Sequence, residues 1–139
     1  MTKKRKLLNP PGTEALPRSL GFSQAVQVGD TIWVSGQVGF DNNGNVAEGI
    51  EQQSRLAIES LKNILAEAGA TLDDIVELIT FHVDIANELS TFAQVKSELM
   101  PNIHPAWTAV GVSALAFPAL RVEVRASAVM HSADPSAKV

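Results

Sequence analysis

The stretch from Arg121 to Ser127 holds the residues best suited to chemistry: Arg121, Glu123, Arg125 and Ser127 alternate with Val122, Val124 and Ala126. A period of two belongs to a strand, so one face is apolar and the other sets a carboxylate between two guanidinium groups. Residues two apart on a strand lie roughly 6.6 Å apart along the chain, so Glu123 is placed to pair with either arginine. Pairing would keep Glu123 ionised and oriented, whereas burial without a partner would raise its pKa. The competing reading is a solvated charged face with no chemistry. A second candidate is Ser35-Gly36, at the end of an apolar run. No GxSxG elbow surrounds it, which sets a serine nucleophile aside. Glycine does let a ligand approach the backbone, where the adjacent N–H groups and the serine hydroxyl can hold a carboxylate. The alternative is a strand-end turn.

His82, His104 and His131 lie far apart and show no HxxxH or similar spacing, so no metal site is expected. His82 sits mid-strand beside Thr80 and Asp84, and reads as a partly buried imidazole with a hydrogen-bond partner on its own face. Trp107 heads "WTAVGV", a run of small and β-branched residues. As a strand residue it is core filler, the lid of a partner surface or the wall of a small-molecule pocket.

The elements that must hold these groups follow from periodicity. "SQAVQV" (23–28) and "TIWVSGQV" (31–38) flank Gly29-Asp30, a two-residue hairpin signal. Ile50, Ser54, Ala57, Leu61, Ile64, Leu65 and Ala68 recur at helical spacing until Gly69, predicting a helix near 48–68. "DDIVELITFHVDI" then has period two, with Ile75, Ile79, Phe81, Val83 and Ile85 on one face and Val76, Leu78, Thr80, His82 and Asp84 on the other. Leu89, Phe92, Val95 and Leu99 predict a second helix, capped by Asn87 and ended before Pro101. Strands near 106–113 and 120–130 close the chain. The order β-β-α-β-α-β-β, with room for a short strand at the start, predicts an α+β fold: a mixed sheet of five or six strands with two helices on one face. The other face carries Val76, Leu78, Trp33 and Trp107, for which a partner subunit is the simplest cover and a monomer whose face curls onto itself the rival.

At 139 residues and 45% apolar, the chain is expected to be a single domain spanning 1–139, able to bury roughly 68% of its unfolded surface. Residues 1–19 and 131–139 are expected to be loosely held. The absence of cysteine excludes disulfides, thiolate metal sites and thiol nucleophiles, and makes a cytoplasmic protein the default. Only Leu7 and Leu8 separate the basic start from Asn9-Pro10-Pro11-Gly12, so neither a signal peptide nor a membrane span is expected. A net charge of −4 is the wrong sign for nucleic-acid binding, the cluster Lys3-Lys4-Arg5-Lys6 notwithstanding.

"GFSQAV", "WVSGQVG", the long helix after a short loop, "HPAWTAVGV" and "FPALRVEVRASA" together resemble the YjgF/RidA family, the endoribonuclease L-PSP type, over about residues 20–130. The string "WTAVGV" is similar to its YjgH-like branch. The resemblance implies a chorismate-mutase-like α+β subunit, a homotrimer, and clefts between subunits that bind small carboxylates. Family members with the full motif hydrolyse enamines and imines derived from amino acids to a keto acid and ammonia, without a cofactor. By the same resemblance Glu123 is the catalytic residue, and Phe22, Ser35, Gly36, Trp107, Thr108 and Ala109 line the ligand site. Trp107 stands where the family has a carboxylate-clamping arginine, Phe22 where it has tyrosine, and Ala109 where it often has cysteine.

An indole offers one N–H and no charge, so amino-acid-derived imines are expected to be poor substrates and flatter, more apolar ligands to be preferred. Arg125, on the face of Glu123, is a candidate replacement cation. Two functions fit: a cofactor-free hydrolase of a small reactive metabolite, or a non-catalytic binder or sensor of small ligands in the same cleft. Nuclease activity conflicts with the acidic charge and the lack of a basic aromatic track.

Overall fold

The hairpin predicted at Gly29-Asp30 seeds the sheet, with β2 (Ala25–Val28) running into β3 (Thr31–Val38) and Val28 paired with Thr31. Gly29 takes the turn at φ 59°. This computed structural model describes residues 4–133. Six strands form one mixed sheet in the order β1-β2-β3-β6-β4-β5, where β1 is Arg5–Leu8, β4 Ile75–His82, β5 Ala106–Gly111 and β6 Val122–Val129. All neighbours are antiparallel except β4 and β5. That parallel pair needs a crossover, supplied by helix α3 (Ile85–Leu99). The other long helix, α2 (Ile50–Ala66), buries Gln53, Ser54, Ala57, Ile58, Leu61, Ile64 and Leu65. The core lies between these two helices and one face of the sheet, with Ile32, Val34, Leu78, Val122, Val124 and Ala126 beneath them. The fold is the expected α+β arrangement.

Several local expectations are corrected. The N-terminal segment through residue 19 is ordered where it is described: β1 pairs with β2, Leu8 is buried, and Ala15–Leu20 form a short helix α1. Its Pro17 sits in the first turn, where the missing N–H costs nothing. Lys3 and residues 134–139 lie outside the described residues. Helix α3 starts at Ile85 with Asp84 in the cap position, so Asn87 is not the cap; its amide instead donates to the Asp84 carboxylate at 3.1 and 3.2 Å.

The largest correction concerns β4. Ile75 pairs with Ala128 and Glu77 with Ser127, leaving Val76 as an extra residue, a β-bulge. Beyond it the faces exchange. Leu78, Thr80 and His82 are buried under the helices, while Ile79 and Phe81 lie on the helix-free face. Of the four residues expected to need outside cover, Leu78 and Trp107 are on the helix side; Trp33 (45% exposed) and Val76 (42%) remain uncovered.

Candidate functional site

A second bulge builds the site around Glu123. Along β3 and β6, Val34 pairs with Ala126 and Gln37 with Val124, so Ser35 and Gly36 together oppose Arg125. The bulge brings Gly36 onto the Glu123 side chain: a Cβ at position 36 would lie 2.6 Å from Glu123 Cδ and 2.7 Å from Oε1. Only glycine leaves room for the carboxyl there. Across the helix-free face the neighbours of Glu123 are Val38 and Phe81. Arg125 lies one row along, in line with Ile79 and Thr108.

Glu123 makes no ion pair among the described residues. Of the two arginines that could have held it, Arg121 lies before β6 and its Nε donates to both Glu88 carboxylate oxygens at 2.8 and 2.7 Å, with Asp84 3.8 Å from Nη2. Burial therefore acts unopposed and pushes the Glu123 carboxyl above the ordinary carboxylate range.

The Ser35-Gly36 bulge is fastened from behind. The Ser35 hydroxyl donates to Ser23 O at 2.7 Å and its amide to Gln24 O at 2.8 Å. Both donors are occupied, so the hydroxyl offers a ligand only its acceptor lone pairs. Gln37, buried beneath, donates to Gln24 Oε1 and Ser35 O at 3.0 Å each, and Ser60 of α2 donates to Gln37 Oε1 at 2.7 Å. The Ser23 bond also draws the 22–24 segment, with half-exposed Phe22, to the same end of β3.

Trp107 and Ala109 point the other way. Paired in parallel with Leu78 and Thr80, they share the helix face of β5, the edge strand. The indole Nε1 donates to Thr80 Oγ1 at 3.0 Å, and the ring lies 5.8 Å from Phe92, centroid to centroid. Lys96 Nζ stands 5.0 Å over the ring, near enough for a cation–π contact. Burial lowers the Lys96 ammonium below the usual lysine value. Behind Thr80, His82 Nε2 is 2.7 Å from Oγ1, and the imidazole, 1% exposed, packs edge-on to Phe92. Burial also lowers the His82 pKa, against a smaller upward pull from Glu88. A neutral imidazole that accepts the Thr80 O–H at Nε2 leaves one group unsatisfied, the Nδ1–H; the opposite tautomer would leave two.

The structure thus gathers Phe22, Ser35, Gly36 and Glu123 at one end of β3 and β6, with Arg125 and Thr108 on the same helix-free face. It sets Trp107 and Ala109 on the opposite face, two strands away, roughly 10 Å at the usual strand spacing. Within one chain Trp107 and Glu123 cannot face a common ligand, and Arg125 cannot reach the seat of Trp107. Thr80 is the same-face partner expected for His82; Gln37 and Lys96 are the residues that sequence reasoning missed. Lys96 had a signal, since it falls one turn after Phe92 on the stripe that α3 buries. A groove of about 510 Å³ lies elsewhere, between the helices and the 72–74 turn, lined among others by Arg55, Lys62, Asp73 and Leu99, and holds none of the site residues. Among the described residues no three histidine or acidic side chains gather as metal ligands, and no helix is long and apolar enough to cross a membrane.

A six-stranded mixed sheet backed by two helices, with an unpaired carboxyl seated over a glycine bulge, defines a YjgF-type α+β protein. The Endoribonuclease L-PSP family model matches residues 13–130, and the chain belongs to that family, the YjgF/RidA family. It is 40% identical over 113 residues to the RutC family protein YjgH of Escherichia coli K12, covering 81% of this chain and 86% of that one. A solved structure of protein YjgH superposes with a TM-score of 0.81 at 37% identity, over 91% of this chain and 96% of the other. The chain is also 32% identical over 122 residues to the 2-iminobutanoate/2-iminopropanoate deaminase of Dermatophagoides farinae, covering 86% and 94%. The family thus includes a deaminase of small imines.

Proposed function

We propose that the protein hydrolyses a small reactive enamine or imine, in a cleft shared between copies, with Glu123 as both acid and base. The observation that carries this reading is the Glu123 carboxyl itself: half-buried, raised by burial, unpaired and held over Gly36. A carboxyl whose burial favours its protonated form is suited to give a proton and take one back. It protonates the enamine carbon to form an iminium ion; the carboxylate then accepts a proton from the water that adds to the iminium carbon. Glu123 passes that proton to the nitrogen, and the C–N bond breaks as the new hydroxyl gives its own proton back to the carboxylate, releasing ammonia and leaving a carbonyl compound whose oxygen comes from water. No cofactor enters this balance. The name of the mite relative supports the same class of chemistry.

The cleft is proposed to lie in a homotrimer, the assembly the family resemblance implies. Two features support it. Trp107 and Glu123 occupy opposite faces of one sheet, so a site using both must draw them from two copies. Trp33 and Val76 also leave apolar surface on the face the helices do not cover. Trp107 provides an aromatic wall, and its one N–H is already engaged by Thr80. Imines that carry an amino-acid carboxylate therefore lose a charge-assisted clamp, a loss of about 2–5 kcal/mol, and flatter, apolar substrates gain.

The test is to incubate the protein with freshly generated enamines of several amino acids and with unsaturated cyclic amides and lactones, following absorbance loss and ammonia. Turnover that Glu123→Gln abolishes is expected; turnover unchanged in that variant refutes the role of Glu123. A non-catalytic ligand-binding reading draws on one observation, that both donors of Ser35 are occupied internally and so unable to hold an oxyanion. Saturable binding without turnover across the panel would establish it instead.

A further inference from the structure

Gln53 of α2 is 1% exposed, and its whole amide is engaged. Nε2 donates to Ala47 O at 2.9 Å and to Ala119 O at 3.0 Å, and Oε1 accepts the Arg121 N–H at 2.8 Å. The loop after β3, the loop before β6 and the residue two places ahead of Glu123 thus meet on one side chain. The helix backbone closes on β3 at the same point. A Cβ on Gly39 would lie 2.5 Å from Gln53 Cα, and Gly39 follows Val38, the ladder partner of Glu123.

The pattern of β6 shows what such an anchor is for. Val122, Val124, Ala126 and Ala128 are all buried, so a slip of one residue would bury the charged face and is strongly disfavoured. A slip of two residues keeps the apolar face apolar, yet carries Arg121 or Arg125 into the seat of Glu123 over Gly36. Alternation alone does not forbid it, so the register must be set at the ends of the strand. At the Glu123 end the Gln53 amide spans the junction of turn and strand. Ala119 lies in the turn that the Leu120 N–H closes on Phe117 O at 3.1 Å, and Arg121 is the last residue before β6. A slip in either direction draws both groups off the amide and breaks up that turn, leaving a buried amide short of partners.

We propose that Gln53 is the positioning residue of the Glu123 site: by holding the entry of β6 and the exit of β3 to one point of α2, it fixes the register that sets Glu123, and neither arginine, over Gly36. The proposal rests on the reading of Glu123 as the reacting carboxyl. Gln53 touches no ligand and acts only through the backbone it holds. A misplacement of a reacting group by about 1 Å costs on the order of a hundredfold in rate. Loosening this junction is therefore felt at the carboxyl even while the rest of the sheet keeps its pairs.

The test compares the native protein with Gln53→Met, which keeps the length of the side chain and removes its polar groups. The Glu123 carboxyl is titrated by ¹³C NMR, a readout that needs no substrate, and kcat and KM are measured on an enamine that the native protein turns over. In Gln53→Met the Glu123 midpoint is expected to fall toward the ordinary value of 4.5, with the other glutamate midpoints unmoved. kcat should fall roughly a hundredfold and KM far less. Leu65→Ala, a destabilising change in the same helix core, is the control and should leave the Glu123 midpoint in place. A folded Gln53→Met protein with the native midpoint overturns the role of Gln53, whatever its stability; an equal shift in Leu65→Ala overturns it too, as mere loosening of the fold. A native protein without turnover refutes the hydrolysis reading instead, and the titration still decides on Gln53. Should Gln53→Met fail to fold, Gln53→Asn, which carries the same groups one methylene short, is judged by the same midpoint.

Discussion

Thr80 joins the edge tryptophan to the buried histidine through a single oxygen, and Thr80→Val removes that oxygen with almost no change of shape. Two groups then lose their partner. His82 Nε2, in an imidazole 1% exposed, loses its 2.7 Å contact and has no water to replace it, a loss of about 1–3 kcal/mol. The Trp107 N–H loses its 3.0 Å acceptor, but at a partly exposed ring, where water restores part of the bond and the loss is about 0.5–1 kcal/mol. The expected destabilisation is therefore about 2–4 kcal/mol. Urea unfolding, at one protein concentration because association contributes to stability, should show a lower midpoint at unchanged slope. Thr80→Ser is the control: it keeps the hydroxyl and loses one buried methyl, about 1 kcal/mol. Adding His82→Leu to Thr80→Val should recover most of the histidine part, since it removes the stranded nitrogen as well. A Thr80→Val loss no larger than that of Thr80→Ser would refute the view that this oxygen satisfies both rings.

Two further outcomes follow from the Glu123 site. In Gly36→Ala the new Cβ meets the far end of a flexible side chain, at a position whose backbone is not left-handed, so the carboxyl yields rather than the sheet. Stability should fall by less than about 1.5 kcal/mol, while turnover or ligand binding falls as far as in Glu123→Gln; an active Gly36→Ala protein would show that the carboxyl position is immaterial. The raised pKa of Glu123 means that the native state holds its proton more tightly than the unfolded chain. That contribution to stability is fully present below the unfolded value of 4.5 and is lost as pH rises through the higher folded value. Glu123→Gln, which does not titrate, should therefore gain thermal stability relative to the native protein from acid to neutral pH. A difference in Tm that stays constant with pH would contradict an unpaired, desolvated carboxyl.

The parts of the fold that were legible in the sequence are those whose signals are local. The stripe from Ile50 to Leu65 needs only its own spacing to read as a helix, and Gly29-Asp30 needs only its two flanking runs to read as a hairpin. The alternation of Val122 to Val129 likewise placed Glu123 and Arg125 on one face, as the structure has them. What escaped was set by distant partners. Arg121 reads as a neighbour for Glu123 until α3 brings Glu88 to it from 33 residues away. The side of the sheet that Trp107 occupies depends on the parity of β4, and nothing in "DDIVELITF" marks Val76 as the supernumerary residue. Its extra length is visible only against the ladder of β6. The family pattern supplied Gly36 and Glu123 as a pair, but the reason that 36 must be glycine is a 2.6 Å approach that no spacing rule could reveal.

Val76 works as a half-step in the phase of its strand, letting Ile75 before it and Leu78 after it both turn toward the helices although they stand three residues apart. Deleting that one residue would close the bulge: Ile75 and Glu77 would follow one another opposite Ala128 and Ser127, and Leu78, Thr80 and His82 would stay beneath the helices. A relative one residue shorter here can thus keep the same aromatic corner. Alignments of such chains are best anchored on the residues paired with β6, with the gap placed at 76.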